Sequence, residues 1–346
     1  MRAAVYESFR GPITIRDLPD PVPHDDAAIV AVGACGICRS DWHGWQGHDA
    51  MIHLPHVPGH ELAGSVVGVG RAVRRWRGGE RVTAPFCCGC GVCPECRRGD
   101  TQVCPRQTQP GFSHHGAFAE RVEIRHADLN LVPLPDAVDD LAAASLGCRF
   151  ATAYRALVQQ GRAGAGDWVA IHGCGGVGLS ALAIARAIGA RVVVIDPTAA
   201  RRRMALDLGA DEVVDPTAGD VAARVRAVTG QGAAVSLDCV GDAGACRDSI
   251  HSLANRGRHV QVGLLPGAQA TPHVPMDLVI ARELEILGSH GMPVAAYGDL
   301  VGLVAAGRID PRRLVSDTVD LEAGARLLER FDTFPNRGMT VITFPV

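Results

Sequence analysis

Residues 168–196 read WVAIHGCGGVGLSALAIARAIGARVVVID, and no other stretch limits the fold as much. WVAIH is a short apolar run bounded by glycine. LSALAIARAIGA repeats its apolar residues at the helical period, and RVVVID is a second β-branched run. Strand, glycine turn, helix and strand in this order make half of a parallel, doubly wound sheet. The alternation continues through RMALDLGA, EVVD, VAARVRAVTG, VSLDCVG, a helix near 243–254 and GRHVQVGLL.

The turn itself is G-x-G-x-x-G, formed by Gly173, Gly175 and Gly178 with Cys174, Gly176 and Val177 between them. The pattern alone is weak in a chain with 41 glycines, but its strand–turn–helix setting is the one that binds a dinucleotide. Gly173 permits the tight turn, Gly175 lets the backbone approach a pyrophosphate, and Gly178 lets helix pack on strand. The helix N-terminus offers amide donors and positive partial charge to the phosphates. Asp196 closes the second strand, where a carboxylate binds the adenosine ribose hydroxyls and repels a 2′-phosphate. This favours NAD over NADP. Arg201, Arg202 and Arg203 argue weakly the other way, and the bland alternative makes Asp196 a turn residue before Pro197.

The chain has 346 residues, of which 47% are hydrophobic and 21% charged, with a formal net charge of −3. This is a globular profile of about two domains, with no basic excess to attract nucleic acid or an acidic membrane. No apolar run approaches the ~20 residues that span a bilayer, and the first residues lack the apolar centre of a signal peptide, so a cytoplasmic location is expected. All 34 basic residues are arginine. Without lysine there is no Schiff-base lysine, no phosphate-loop lysine and no Tyr/Lys pair of short-chain dehydrogenases.

Residues 1 to about 146 differ in style, with short β-like runs (AAIVAVGAC, AGSVVGVG, ERVTAP) set among Gly, Pro, Cys and His. Twelve cysteines in such a chain point to metal or catalysis rather than disulfides. Cys90, Cys93, Cys96 and Cys104 form a C-x2-C-x2-C-x7-C ladder. Four thiolates at short spacing suit a closed tetrahedral zinc site of structural role, an iron–sulfur cluster being the main rival. A catalytic zinc instead takes three protein ligands and keeps one open position. Candidates outside the ladder are Cys38 in CRSDWH, His60 in PGHE and Cys148 in LGCRFATAY, although spacing alone does not select them from the spare cysteines and 14 histidines.

Taken together, GICRSDWH, PGHELAG, the ladder, SLGCRFATAY and GCGGVGL resemble the zinc-dependent medium-chain alcohol dehydrogenases in order and spacing. The resemblance implies a mixed α/β chain: a GroES-like, mostly β catalytic domain (1–148) with both zinc sites, a Rossmann cofactor domain (149–288), and a C-terminal segment (289–346) returning to the catalytic domain. It implies Cys38, His60 and Cys148 as catalytic-zinc ligands, with Glu61 behind the metal as a possible alternate ligand. By the same resemblance Asp41 orients the ligand histidine, Ser40 receives the substrate's proton and His43 ends the proton relay. It places Arg39 at the pyrophosphate and Thr152, Asp196, Arg201, Val262, Gly263, Leu264, Ser289 and His290 around the cofactor. Trp42, Phe86 and Leu264 join Ser40 in the substrate pocket. Its implied cofactors are two zinc ions per chain and NAD, its substrate a small alcohol, aldehyde or ketone, and its assembly a homodimer or homotetramer. Same-family alternatives act on a polyol, amino-alcohol or formaldehyde adduct. A non-catalytic zinc- and nucleotide-binding redox sensor is disfavoured by the intact set Cys38, Ser40, His43, His60 and Cys148.

Two departures stand out. Met339 occupies the position of a phosphate-contacting arginine, with Arg337 two residues earlier, and QPGFSHHGAF (109–118) matches no one substrate class. The remaining groups receive bland readings. Cys35, Cys174, Cys239 and Cys246 are core residues, and the ladder does not require Cys87 or Cys88. His114 and His115 are solvated, and His24, His126, His251, His259 and His273 are surface groups. Trp45 either packs its loop or lines an entrance, and Asp41 also caps a helix beginning at Trp42.

Overall fold

The computed structural model describes the chain apart from residues 266, 334–337 and 346, so Arg337 lies outside the described residues. It divides into two compact units, Met1–Ala151 with Gly291–Val346, and Thr152–His290.

The first unit is built on a seven-stranded sheet. Its order runs Val315–Val319, Met339–Thr343, Ala28–Gly36, Glu61–Val69, Arg81–Thr83 and Val132–Pro133, and Arg121–Ile124 pairs with Ala28–Gly36 as well. Ala28–Gly36 is apolar on both faces because both are covered, and Tyr6, Leu62, Phe118 and Ile124 fill the surrounding core. The C-terminal helix Leu321–Glu329 is capped by Asp320, which accepts from the Ala323 amide at 2.7 Å. It packs closely on strand Met339–Thr343, and a Cβ at Gly324 would collide with Ile342.

This sheet brings distant parts of the chain together. Gly36 pairs with Glu61, so the loop after strand Ala28–Gly36 and the loop before Glu61–Val69 emerge side by side. Gly59 is in the left-handed region (φ +106°), where a side chain would strike Phe118, and the turn delivers His60 to the strand's start. Leu146–Phe150 forms a buried π-helical turn carrying Cys148, a local irregularity of the kind found at functional sites.

The second unit is a six-stranded parallel sheet in the order Glu212–Val214, Arg191–Ile195, Trp168–His172, Ala233–Asp238, Leu253–Gln261 and Glu285–Gly288. The strand order reverses between Trp168–His172 and Ala233–Asp238, which is where doubly wound sheets bind ligands. The doubly wound fold expected from 168–196 is thus present. Among the described residues no helix is long and apolar enough to cross a membrane.

Candidate active site and nucleotide-binding loop

Cys38, His60, Glu61 and Cys148 converge in the first unit, with one ligand atom from each lying within 4.8 Å of all the others. Cys38 immediately precedes helix Arg39–Trp45, and its own amide donates to Asp41 Oδ2 at 2.9 Å. The helix therefore starts at Arg39 rather than Trp42. Asp41 is its third residue, reaching back to the N-terminal amide instead of capping ahead of it. The other Asp41 oxygen accepts from Gly59 N (3.0 Å) and lies 2.7 Å from His60 Nδ1. One buried carboxylate thus ties together the Cys38 loop, the Gly59 turn and the His60 ring.

This arrangement leaves His60 Nε2 as the free end of the imidazole. That atom is completely buried and has no hydrogen-bond partner. An orphaned buried polar atom costs about 1–3 kcal/mol, and a metal ion removes that cost. The donor set of two sulfurs and one imidazole suits zinc and leaves a position for a substrate oxygen. The hydrogen bond from Cys148 holds the Cys38 thiol well below its ordinary range, with help from His60, while Cys148 is pushed well above.

Arg149, which the sequence reading passed over, completes the cluster. It is 5% exposed, its Nε lies 2.9 Å from each Glu61 oxygen, and its Nη2 reaches Oε2 at 2.6 Å and Ile37 O at 2.9 Å. Burial pushes the Glu61 carboxyl up to about 7, and the guanidinium opposes that rise. The signal was legible: a lone arginine in LGCRFATAY must find a buried acid. Phe86 stands edge-on to His60 with ring centroids 6.1 Å apart. Phe112, from the segment that resisted alignment, is nearer at 5.1 Å.

Ser40 Oγ is 3.8 Å from Cys38 Sγ. His43 is half-buried, and its Nδ1 lies 3.1 Å from Nδ1 of His48. Burial holds His43 below its ordinary pKa. Trp42 packs edge-on against both histidines, and Arg39 stacks over Trp42 and Phe331.

The ladder forms a second cluster. The Cys90, Cys93, Cys96 and Cys104 sulfurs lie within 4.8 Å of one another. Cys93 and Cys104 Sγ are 3.7 Å apart, far beyond a disulfide and close to the ~3.8 Å that tetrahedral zinc–sulfur bonds of ~2.3 Å impose. Backbone amides of Cys96 and Arg106 donate to two of the sulfurs.

In the second unit Gly173 adopts φ +93°, and a Cβ at Gly178 would collide with the Gly173 carbonyl. Gly175 precedes helix Gly176–Ala187, whose first residues, Gly176 and Val177, are only partly buried. Asp196 accepts from Cys174 N (2.9 Å) and Thr198 N (2.8 Å), and Arg201 approaches it at 3.9 Å. Thr152 is buried. Val262 N and Gly263 N both donate to the Asp238 carbonyl, whereas Leu264 is 75% exposed. Ser289 N donates to Gln261 O and its hydroxyl is buried, while His290 is exposed.

Two histidine readings need correction. His259 is 1% exposed and bonded to Ser249 at 2.8 Å, because helix Ala243–His251, which carries Ser249, packs over its strand. His114 is half-buried, with Nδ1 on Ser113 Oγ and Nε2 on Glu123 O. Cys35, Cys174 and Cys246 are buried.

Known proteins share this architecture. Residues 24–136 match the alcohol dehydrogenase GroES-like domain and residues 176–306 the zinc-binding dehydrogenase domain. An alcohol dehydrogenase of Geobacillus stearothermophilus is 34% identical over 331 residues, 92% of this chain and 95% of that protein. An NAD-dependent alcohol dehydrogenase of Sulfurisphaera tokodaii is 30% identical over 353 aligned positions, covering 99% of both. The solved alcohol dehydrogenase of Thermus sp. ATN1 superposes with a TM-score of 0.92 at 30% identity, covering 99% of each chain. The chain belongs to the zinc-dependent medium-chain alcohol dehydrogenase family.

Proposed function

We propose that this enzyme reversibly oxidises a primary or secondary alcohol to the aldehyde or ketone, with NAD as hydride acceptor. Cys38, His60 and Cys148 hold the catalytic zinc, and the Cys90–Cys104 ladder holds a structural one. The observation that carries the reading is the buried, unpartnered His60 Nε2 facing two thiol groups within 4.8 Å.

Zinc held there supplies a Lewis acid that makes a hydroxyl proton far easier to remove, and NAD supplies the hydride chemistry. The residues do the rest. Asp41 fixes the His60 tautomer by accepting its Nδ1 proton, which directs Nε2 inward. Arg149 satisfies both Glu61 oxygens, so the carboxylate stays behind the site while the three ligands face it. Ser40 accepts the hydroxyl proton, and His43 takes it on at the outer end of the relay. Burial keeps the His43 ring neutral at pH 7 and so able to act as a base. Phe86 and Phe112 form apolar walls beside His60 that select for substrate shape.

Residues 1–148 with 289–346 form the catalytic domain and 149–288 the cofactor domain. Arg39, Gly173–Gly178, Asp196, Arg201, Val262–Leu264, Ser289 and His290 contact NAD. The Asp196 carboxylate, already holding two loop amides, repels a 2′-phosphate. Twelve cysteines with no disulfide among them fit a reducing cytoplasm, and the assembly is a homodimer or homotetramer.

The test is NAD-coupled turnover across alcohols of graded size, with NADP as comparison. NAD should be preferred by at least ~10-fold in kcat/KM, worth about 1.4 kcal/mol. Absence of turnover with every alcohol would remove the dehydrogenase assignment, and a preference for NADP would remove the role given to Asp196.

A further inference from the structure

An imidazole acts as a base through one nitrogen while the other carries its proton, so something must set the tautomer of His43. Helix Arg39–Trp45 ends in a paired capping turn. Gly47 N donates to Gly44 O at 2.9 Å and His48 N donates to His43 O at 3.0 Å, with Gly47 in the left-handed region (φ +82°). This is the Schellman arrangement, which brings the residue after the glycine against the helix residue five positions before it. An apolar contact usually closes that turn. Here two imidazoles do, with Nδ1 atoms 3.1 Å apart and ring centroids 5.4 Å apart. Two nitrogens at that distance bond only if one carries hydrogen and the other a lone pair. Trp42 packs edge-on against both rings. His43 is the half-buried member and His48 the exposed one.

We propose that His48 is a positioning residue for the proton relay: its Nδ1 lone pair accepts the Nδ1–H of His43, which leaves His43 Nε2 as the base. This rests on the relay role given to His43 above. The hydroxyl proton of the alcohol binds His43 Nε2, and the Nδ1–H of the resulting imidazolium stays on the His48 lone pair. His43 then gives one proton to water, while the carbon-bound hydrogen leaves with its electron pair as hydride to NAD. At 3.1 Å the two rings do not both carry charge, so the pair holds one extra proton at most. His48 and Arg39 oppose charge on His43, and Cys38 favours it. Helix Leu321–Glu329 packs against this helix. Its Glu322 is paired with Arg2, its Glu329 accepts from Ile13 N, and its Arg326 is exposed.

The experiment compares His48→Leu and His48→Gln in the zinc-loaded enzyme. Leucine removes the acceptor, whereas the glutamine carbonyl accepts the same proton without titrating. His48→Leu should lower kcat/KM for alcohol oxidation at neutral pH by ~10-fold, a fraction of the 10²–10⁴ that general-base catalysis supplies. His48→Gln should recover to within ~3-fold, with an acid limb that stays a one-proton limb as in the wild type. Nitrogen-15 NMR, with His43 assigned by difference against His43→Asn, should show a single Nδ1–H tautomer in the wild type and in His48→Gln but not in His48→Leu. Wild-type rate and tautomer in His48→Leu, or equal loss in both variants, would overturn the positioning role. An unchanged profile in His43→Ala would instead remove the relay itself, while the NMR comparison would still report on the pair.

Discussion

The first unit contains two sulfur-rich clusters of opposite construction. The ladder draws four thiols from residues 90–104, with backbone amides on two of its sulfurs and Cys96 partly exposed. The second cluster draws its groups from two loops and a π-helical turn spread over residues 38–148, and Asp41, Glu61 and Arg149 support it from buried positions. A site meant only to close on a metal needs four equal ligands and little else. A site that must leave a position open needs its three ligands held from behind, because no fourth ligand fixes their geometry.

Replacing one sulfur in each cluster breaks this comparison most strongly. Cys148→Ser should retain the fold and the ladder metal, fall from two zincs to about one per chain, and lose more than ~10³-fold in turnover, at least about 4 kcal/mol of barrier. Cys93→Ser should also lose one zinc, but its primary effect should be on stability, because folding and metal binding are coupled at structural sites. Metal analysis, thermal melting and kcat on the surviving folded fraction distinguish the two. Normal turnover in Cys148→Ser would remove that residue from the ligand set.

The same contrast explains what could be read before the structure. The ladder was legible because its chemistry is local, and the G-x-G-x-x-G turn because its strand and helix flank it directly. Cys38, His60 and Cys148 could be selected only through resemblance, since the strand pairing that joins Gly36 to Glu61 is not written at either position. Arg149 and Phe112 were missed for different reasons. The first had a signal, a charge in an apolar run, while the second sits in a loop whose path depends on the Gly59 turn. His259 was misread because nothing in its own strand shows that helix Ala243–His251 packs over it and supplies Ser249 as the partner of a buried imidazole.

A smaller perturbation targets the support behind the open site. Arg149→Met leaves the Glu61 carboxylate buried without its partner, which should cost about 3–5 kcal/mol. At roughly 2–4 °C per kcal/mol, the melting temperature should fall by about 6–20 °C. Adding Glu61→Gln should restore part of that loss, because the uncompensated charge is then gone. A single variant as stable as the wild type would show that the pair is dispensable to the cluster.

The smallest effect is expected at Asp41, and it is the most selective. Its two oxygens serve three donors: His60 Nδ1 and Gly59 N on Oδ1, and Cys38 N on Oδ2. Asparagine keeps one acceptor and turns the other into a donor. If the oxygen stays with His60 and Gly59, the new amide meets the Cys38 amide donor to donor. If it turns to Cys38, the amide meets the other two donors. The first orientation loses one bond and the second two, and in both the negative charge that makes His60 a stronger ligand is gone. Asp41→Asn should therefore weaken zinc at the three-ligand site by 10–100-fold, about 1.4–2.8 kcal/mol. The ladder shares no atom with Asp41 and should keep its affinity. A chelator titration resolves two classes of zinc, and only the weaker class should move. Loss from both classes would mean that the two clusters are coupled through the unit, and loss from neither would mean that His60 is held by its backbone alone.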